Sequence, residues 1–445
     1  MTALPIASSG RIGIGRARLG VTGLLLSGTV VAVGAARTDT LLSNSIRPLP
    51  AGSALAGAFQ TLSFNLHTSG VIAALTLMLV CYCVVVAGSG RLSARAVIGA
   101  VAFLHVVVLV APPIVSTDVF SYQAYARMGS LYSINPYTHG PYAINLDVVF
   151  PYIGAYWSYF PSVYGPLFTV FSYVLAPLSV AASVYAYKSI AALASLALIA
   201  VVWRCARLRG RDPVRAAAIV GCNPLLVIYG VGGGHNDLVM LLAMTGAIYA
   251  LLAGRAATGG ALGTLAVGLK LTAGLVVPFA FADPEMRRDR SRRRLTLGVA
   301  AGAAVVLAVG FGVFGSGLLQ MFATLDGVQA KGGDSSVPGL IAAGLGLSSL
   351  GHIAGFALAG VFIAFCGWLL SRVWRGSLDW IDAAGWAMLA MLLGTGSLLP
   401  WYVGWALPLA ALARDRRIVT AALILTGIVL CMQMISYIPH YPSLL

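Results

Sequence analysis

Charged side chains are scarce in this sequence. Asp, Glu, Lys and Arg together supply 9% of its 445 residues, whereas a soluble globular domain carries about 25%. Hydrophobic residues make up 59% of the chain, and many of them form runs near the length of about 20 residues that a spanning helix needs. The composition excludes an ordinary soluble enzyme and predicts an all-α polytopic membrane protein.

Acidic residues and lysines are the rarest of the charged residues. Glu285 is the only glutamate, and three lysines stand against 25 arginines. The net charge of +15 comes from arginines in short segments between apolar runs, which marks cytoplasmic loops by the positive-inside rule. It therefore does not indicate a nucleic-acid partner. Heavy use of Arg, Ala and Gly is typical of a GC-rich bacterial genome, so we expect a multi-pass protein of the plasma (inner) membrane, in contact with membrane lipids.

Several common catalytic motifs are missing. The chain has no C-x-x-C pair, and its six cysteines lie in or beside apolar runs, so we expect free thiols rather than disulfides or metal ligands. A P-loop, H-E-x-x-H and G-x-S-x-G are also missing. These absences argue against ATP-driven transport and against the common hydrolases.

Eleven apolar segments are interpreted as membrane crossings. They lie near residues 18–36, 68–87, 96–113, 185–203, 216–231, 237–253, 295–314, 352–371, 380–397, 402–413 and 418–437. The first segment contains Val33-Gly34-Ala35, which resembles a signal-peptide cleavage site. Because the run is long for a signal peptide, we expect an uncleaved first span.

Two further apolar segments, 166–182 and 258–282, do not fit as crossings. A full crossing by either one would place the arginines of 204–215 or of 287–294 outside and would break the positive-inside rule. We therefore predict that both segments enter the membrane and return as re-entrant half-helices, with Lys270 at the break in the second. Irregular backbone at membrane depth needs a covering of protein or a water-filled cavity.

The same charge pattern places two longer segments, 114–165 and 315–351, on the outer side. We treat residues 1–445 as one transmembrane domain and 114–165 as its extracytoplasmic catalytic loop. On a helix, Asp118, Tyr122 and Tyr125 share one face, and Asp118 directly follows a span. A carboxylate among aromatic rings suits sugar binding and proton abstraction. The alternatives are an interfacial aromatic belt and a helix cap.

A second polar cluster follows three successive glycines. It consists of His235, Asn236 and Asp237, whose side chains can bind sugar hydroxyls or a phosphate. Glycines allow the backbone to approach a ligand closely. The alternative is a glycine turn in which Asn or Asp caps the next helix.

Two lysines and two aromatic residues complete the set of candidate side chains. Lys188 and Lys270 lie within apolar segments, where charged residues usually face a cavity or a partner. Lys188 has the alternative of reaching the membrane interface with its long side chain. Trp401 and Tyr402 stand where the chain re-enters the membrane, and interfacial aromatics are the alternative for both.

Six short motifs in a fixed order resemble a known family. They are Asp118-Val119-Phe120-Ser121-Tyr122, Asn135-Pro136-Tyr137, Tyr164-Gly165-Pro166-Leu167, Gly233-Gly234-His235-Asn236-Asp237, Lys270-Leu271-Thr272 and Pro400-Trp401-Tyr402. The series resembles the GT-C glycosyltransferases that use polyprenyl-phosphate-sugars. More narrowly, it is similar to the actinobacterial α-1,6-mannosyltransferases of lipomannan synthesis.

The resemblance implies a GT-C-like bundle with an extracytoplasmic active site and Asp118 as the catalytic base. The implied reaction is inverting transfer of mannose from polyprenyl-phosphate-mannose to a mannan or lipomannan acceptor, forming an α-1,6 linkage. No cofactor and no metal is expected, because Val119 and Phe120 stand where some relatives have a D-x-D motif. The residues expected to bind substrate are Tyr122, Arg127, Asn135, Tyr137, Tyr164, Lys188, His235, Asn236, Asp237, Lys270, Trp401 and Tyr402.

Two other functions stay open at this point. One is a GT-C transferase for a different lipid-linked sugar, such as arabinofuranose, since hydroxyl contacts decide between sugars. The other is a transporter or flippase of lipid-linked sugars, because broken helices at mid-membrane also characterise transporters. A transporter predicts paired pseudo-symmetric halves, and the sequence shows no such repeat.

Overall fold

The computed structural model describes residues 13–47, 49–50, 52–331 and 351–438, and its described part is helical. Leu42 and Ile114 form an isolated antiparallel β-bridge. The α-helices are α1 (Ile14–Gly34), α2 (His67–Gly88), α3 (Ala94–Leu109), α4 (Asp118–Leu131), α5 (Pro166–Ser172), α6 (Val180–Leu208), α7 (Pro213–Gly221), α8 (Asp237–Leu252), α9 (Ala256–Leu269), α10 (Val277–Ala282), α11 (Asp289–Phe314), α12 (Gln320–Lys331), α13 (Gly351–Trp374), α14 (Trp380–Gly394), α15 (Leu407–Leu412) and α16 (Arg416–Ser436). A π-helix, Leu225–Val231, lies between α7 and α8.

Polar N-cap residues mark the starts of some of the helices. The side chain of Ser179 accepts from the N–H of Ala182 at the start of α6. Asp212 caps α7, whose first residue is Pro213. A side-chain oxygen at the N-cap satisfies an N–H that has no partner within the helix, so these two polar residues stabilise the starts of α6 and α7. The N-cap residues of α1, α2 and α8 make no such bond.

The predicted all-helical class is confirmed, while the number of crossings stays a prediction. Among the described residues, six helices are long and apolar enough to span a membrane, or up to seven if α7 and the π-helix, bent by 50°, form one span. The six are 14–37, 67–91, 180–208, 289–328, 357–374 and 416–436. Shorter apolar helices of 10–17 residues occupy several of the other segments in which we predicted crossings.

The two segments predicted to be re-entrant are both short or broken helices. Segment 166–182 contains α5 and the 3₁₀ turn Tyr173–Leu175, which together form a ten-residue apolar helix, followed by a turn into α6. Segment 258–282 breaks at Lys270, whose backbone is extended at φ −159° and ψ 127°. A 3₁₀-helix, Leu271–Val276, and α10 follow the break. The position of the break agrees with the sequence-based expectation.

The two segments predicted to be outer loops contain ordered helical structure. In 114–165, α4 is followed by three 3₁₀ turns, and the helix buries Tyr122 and Tyr125 in a small aromatic core. Segment 315–351 begins with the 3₁₀-helix Gly315–Leu319 and α12. Its residues 332–350 lie outside the described part of the chain.

Close backbone contacts join elements that are distant in sequence. The N–H of Gly165 donates to the carbonyl of Leu269 at 3.2 Å, and a Cβ on Gly165 would lie 2.2 Å from the Gly268 carbonyl oxygen. Only glycine fits at this approach. The contact brings the start of α5 against the break at Lys270.

We predict the membrane orientation from the arginine distribution, with exposed positions as probes. In a chain whose exposed Cys83 and Cys431 are replaced by Ala, Ser130→Cys should react with a membrane-impermeant maleimide in intact cells. Arg207→Cys, at the arginine-rich end of α6, should react only after the membrane is opened. Arg209 is a poor probe because its guanidinium is ion-paired with Asp379 at 2.9 Å. Labelling of Arg207→Cys in intact cells would contradict the predicted orientation.

Candidate active site

A strained turn places Asp118 at the start of α4. Val115 adopts φ +60°, a left-handed conformation that costs about 1–3 kcal/mol in a residue other than glycine. The turn is held from outside, since the N–H of Ile114 donates to the carbonyl of Gly232 at 3.2 Å. The N–H of Asp118 donates to Ser116 Oγ at 3.1 Å. The strained turn therefore fixes the first helical residue against the glycine-rich segment.

The carboxylate of Asp118 faces His235. The distance from Asp118 Oδ2 to His235 Nδ1 is 3.4 Å. Thr117 occupies the N-cap position of α4 and makes no side-chain capping bond, so the structure does not use Asp118 as the cap. The side chain of Asp118 is 26% exposed, whereas that of His235 is completely buried. Only the carboxylate of this pair is open to a ligand.

Packing on both sides fixes the imidazole of His235. Its ring stacks on Trp401 with centroids 3.7 Å apart and an interplanar angle of 20°. A Cβ on Gly233 would lie 2.7 Å from His235 Nε2, so a side chain there would displace the ring. The second glycine of the run is therefore explained by the close approach of this imidazole.

Neighbouring charges control the protonation of Asp118. Burial raises the pKa of the carboxyl group, but the contact with His235, the charge of His235 and the charge of Lys270 together lower it by more. Tyr164 adds a smaller effect in the same direction. The pKa of Asp118 is consequently held below its ordinary value, which favours the carboxylate that can accept a proton.

A second charged pair lies beside the first. Lys270 Nζ is 2.6 Å from Asp237 Oδ1, and the indole N–H of Trp405 donates to the same oxygen at 2.6 Å. The ammonium group also lies 4.8 Å from the ring centroid of Tyr402 and 5.0 Å from that of Trp405. The break after α9 thus presents a cation to a carboxylate and two aromatic faces, which compensates its removal from water.

Tyr122 connects α4 to the second polar cluster. Its hydroxyl donates to Asn236 Oδ1 at 3.3 Å. Its ring packs edge-on against Tyr164 and Phe168, with centroids 4.7 and 4.9 Å away. Tyr125, on the same helical face, donates to the Phe160 carbonyl at 2.8 Å. The tyrosine face predicted from the sequence is therefore buried support for Asp118 rather than an interfacial belt.

Several polar atoms in this cluster are buried without a hydrogen-bond partner. They include His235 Nε2, Asn236 Nδ2, Asp237 Oδ2 and Trp401 Nε1. An unsatisfied buried polar group costs about 1–3 kcal/mol, so such groups are rare unless a ligand or another function accounts for them. Donors and an acceptor gathered in one place have the chemistry to recognise hydroxyl groups.

Arg127 and Lys188 lie outside this cluster of contacts. Arg127 Nε donates to both oxygens of Asp147, at 2.8 and 2.9 Å, and its Nη1 donates to the Ala176 carbonyl at 2.7 Å. Lys188 is completely buried. Its ammonium donates to the carbonyls of Ala111 and Pro112, the second at 2.9 Å. Both cations are committed to holding the backbone around α4.

Asn135 and Tyr137 also have structural partners. Asn135 Nδ2 donates to the Phe314 carbonyl at 2.7 Å, and the Tyr137 hydroxyl donates to the Tyr164 carbonyl at 2.7 Å. These bonds fasten the loop after α4 to α11 and to the segment before α5. The structure therefore brings Asp118, Tyr122, Tyr164, His235, Asn236, Asp237, Lys270, Trp401 and Tyr402 together, and it places Arg127, Lys188, Asn135 and Tyr137 around them.

Trp405 is the site residue that our sequence-based residue set omits. Its indole donates to Asp237, 168 positions earlier in the chain. The sequence signal for Trp405 was its position four residues after Trp401, which places both on one face of a helical turn. The pattern is equally typical of interfacial aromatics, which is why it did not mark Trp405 as a site residue.

No metal site is evident in the described part of the chain. There, no group of three or more His, Cys, Asp or Glu side chains could hold a metal ion. The expectation that the reaction needs no metal stays a prediction.

Comparison with known proteins gives two family matches. Residues 17–283 match the alpha-(1->6)-mannopyranosyltransferase N-terminal domain, and residues 335–436 match the MptB C-terminal domain. Alpha-(1->6)-mannopyranosyltransferase A of Mycobacterium tuberculosis is 29% identical over 71% of this chain and 66% of its own length. A probable alpha-(1->6)-mannopyranosyltransferase of Mycolicibacterium smegmatis is 30% identical over 81% of this chain and 72% of its own length. The chain thus spans about two thirds of the first relative and somewhat more of the second, and no solved structure matches it.

The Lys270–Asp237 pair should show strong energetic coupling. Lys270→Met leaves the carboxylate of Asp237 buried without its counter-charge, which should cost about 3 kcal/mol of unfolding free energy. Adding Asp237→Asn should recover part of that loss, because the uncompensated charge is removed. Thermal unfolding of the purified protein in detergent measures both. Trp405→Phe, which removes the indole N–H together with part of a buried ring, is the comparison and should cost about 1–3 kcal/mol. If the losses of unfolding free energy caused by Lys270→Met and by Asp237→Asn simply add in the double variant, the coupling is contradicted.

Proposed function

The chain belongs to the alpha-(1->6)-mannopyranosyltransferase family, and we propose that it transfers mannose from polyprenyl-phosphate-mannose to a mannan or lipomannan acceptor, forming an α-1,6 linkage. The membership confirms the family resemblance of the six sequence motifs and supports a glycosyltransferase activity. The observation that carries the proposal is the partly exposed carboxylate of Asp118, held by a buried His235 next to the Lys270–Asp237 pair. The site faces the outer side of the plasma membrane.

Asp118 is the general base of the proposed reaction. The acceptor hydroxyl gives its proton to the Asp118 carboxylate while its oxygen forms a bond to the anomeric carbon of mannose. The bond between that carbon and the phosphate oxygen breaks, and polyprenyl phosphate leaves with the electron pair. Polyprenyl phosphate is a good leaving group, so no general acid is needed. A single displacement converts a β-linked donor into an α-mannoside.

His235 supports Asp118 rather than the substrate. The imidazole is completely buried between Trp401 and Gly233, so the accessible member of the pair is the carboxylate. We assign His235 the role of orienting Asp118 and keeping it ionised. This differs from the sequence-based expectation that His235 binds substrate directly.

Lys270 is the cation best placed to stabilise the departing phosphate. Its side chain is 16% exposed, and its charge acts on Asp118, so the two groups share one site. Arg127 and Lys188 are less suited, because neither is among the groups whose charge acts on Asp118, and Lys188 is completely buried against backbone carbonyls. A positive group fixed before the reaction begins stabilises charge that develops in the transition state.

The sugar rings are proposed to lie near the unpaired polar atoms. All three side chains are buried, so the sugar would reach them only where the site opens as it binds. Asn236 Nδ2 and Trp401 Nε1 would then donate to hydroxyl oxygens, and Asp237 Oδ2 would accept from a hydroxyl group. Tyr402 adds an aromatic face beside them. Which lipid-linked sugar fits best depends on these hydroxyl contacts, so transfer of arabinofuranose is the alternative within the same fold and mechanism.

A lipid-linked sugar transporter is the alternative that the broken helix favours. A break at a charged residue in an apolar helical segment, as at Lys270, is also typical of transporters, where it lies at membrane depth. The paired Asp118 and His235 favour a chemical step instead, because transport requires no proton acceptor for a hydroxyl group. Hydrolysis or transfer of radiolabelled polyprenyl-phosphate-mannose by purified protein, with a short α-mannoside acceptor, distinguishes the two functions.

Asp118→Asn should abolish most of the transfer activity. Asparagine keeps the shape of the side chain but cannot take the proton, and loss of a general base typically lowers kcat by about 10²- to 10⁴-fold. Binding of the lipid-linked donor should persist, because Lys270 and the aromatic side chains are unchanged. Steady-state kinetics and donor binding are the two measurements.

Two other acidic residues serve as matched comparisons for Asp118. Asp237→Asn should raise KM more than it lowers kcat if Asp237 binds sugar hydroxyls. Asp326→Asn, at an exposed position on α12, should leave both constants unchanged. A fully active Asp118→Asn beside an inactive Asp237→Asn would move the base to the second cluster.

His235→Gln should move the acid limb of the kcat/KM profile to higher pH. The pKa of Asp118 is lowered by His235 against the opposing effect of burial, so removal of the imidazole raises that pKa. Activity requires the carboxylate and is therefore lost sooner as the pH falls. The exposed His139 provides the control His139→Gln, whose pH profile should match that of the unmodified protein. An unshifted acid limb in His235→Gln would show that His235 does not set the charge of Asp118.

A further inference from the structure

A groove of about 690 Å³ lies between α10, the start of α11 and the end of α13. None of its lining residues belongs to the candidate active site. Its apolar lining includes Phe281, Leu370 and Trp374, while the exposed Arg292 and Arg375 form its rim. The groove therefore combines an apolar slot with two cationic groups.

The arginines at the rim are available for an anionic group. Both Arg292 and Arg375 are exposed, and among the described residues neither forms an ion pair with a carboxylate. Arg375 is oriented by Ser371, since its Nε donates to the Ser371 carbonyl at 3.1 Å and its Nη2 donates to Ser371 Oγ at 2.9 Å. Its guanidinium is thus held at the rim with donor capacity left over.

The surroundings of the groove are strongly basic. Segment 283–294 carries six arginines and three acidic residues, a net charge of +3. The guanidinium of Arg287 also lies over the ring of Trp374 at 4.6 Å. A second copy of the chain that placed the same face here would bring like charges together, so charge complementarity favours an anionic occupant.

The helices beside the groove are those that the bundle covers least. In the candidate span 357–374, 11% of the apolar part is buried within the bundle, and in 289–328 the share is 22%. In the other candidate spans it is 44–50%. Helices this open face lipid in a membrane protein. Such a slot would be open to acyl chains, and Arg292 and Arg375 belong to the arginine-rich ends of the two helices, where lipid headgroups are expected.

We propose that this groove binds an anionic glycerophospholipid, with an acyl chain against Phe281, Leu370 and Trp374 and its phosphate at Arg292 and Arg375. Basic pockets between membrane helices have this chemistry. A zwitterionic lipid offers the same acyl chain without net negative charge, so it gains less from the two guanidinium groups. The site is separate from the proposed transfer reaction and does not depend on it.

The test is lipid binding by the purified full-length protein. Protein in mild detergent is titrated with phosphatidylglycerol and, separately, with phosphatidylcholine of the same chains, and bound lipid is counted by native mass spectrometry. The protein should bind phosphatidylglycerol about 30-fold more tightly, from about 1 kcal/mol for each arginine near the lipid phosphate. Arg292→Gln/Arg375→Gln should reduce this preference to near unity.

Two control variants separate a built site from general surface charge. Arg416→Gln/Arg417→Gln removes the same charge at the start of α16, where both side chains are exposed, and should leave the preference intact. Trp374→Ala removes one wall of the slot at a half-exposed position and should weaken both lipids by a similar factor. The proposal would be overturned if Arg416→Gln/Arg417→Gln lost the preference for phosphatidylglycerol as fully as the groove variant does, or if Trp374→Ala bound both lipids as tightly as the unmodified protein. Either result would indicate diffuse electrostatic attraction. The protein could instead form a dimer that excludes lipid from the groove. If Arg292→Gln/Arg375→Gln disrupts such a dimer, the proposal is overturned and the groove is a contact between copies of the chain.

Discussion

The cost of removing charge from water governs the structure around Asp118. An isolated ionised side chain in an apolar interior is strongly unfavourable, whereas a paired and hydrogen-bonded one is tolerated. Asp147 has Arg127 and Tyr132, and Asp237 has Lys270 and Trp405. Asp118 differs from these two carboxylates, because its partner is a buried imidazole at 3.4 Å and part of its surface stays open. Of these three carboxylates, Asp118 is the one that is both held and partly accessible.

Close approach between backbone segments determines where these charged pairs can form. The close contacts at Gly165 and Gly233 bring the break after α9 and the ring of His235 into positions that any larger residue would block. Lys188 adds a third connection by binding the carbonyls at the end of α3. The junctions at Gly165 and Lys188 each join segments more than 70 residues apart, so the site is not confined to the segment 114–165.

The different roles proposed for these charged side chains follow from how exposed each one is. Asp118 and Lys270 keep part of their surface open, whereas His235 and Lys188 are completely buried. The exposed pair suits proton transfer and stabilisation of a leaving phosphate, while the buried pair suits orientation. In the basic groove near Trp374 both arginines are exposed, so they too are free to meet a ligand.

The sequence by itself determined those features that depend on local pattern. Apolar runs and flanking arginines predicted an all-helical membrane protein, the break at Lys270 and the shared face of Asp118, Tyr122 and Tyr125. Six ordered motifs were enough to indicate the family. Each of these features is a property of residues close together in the chain, where periodicity and charge can be read directly.

Only the tertiary structure decided which polar residues meet. The pairing of Asp118 with His235 and of Asp237 with Trp405 joins positions more than 100 residues apart, and local pattern carries no information on such distances. The same holds for Arg127 and Lys188, which looked like candidate substrate contacts but bind Asp147 and backbone carbonyls. A lone cation in an apolar segment has the same sequence signal whether it meets a ligand or a carbonyl, because helix packing determines what lies opposite it.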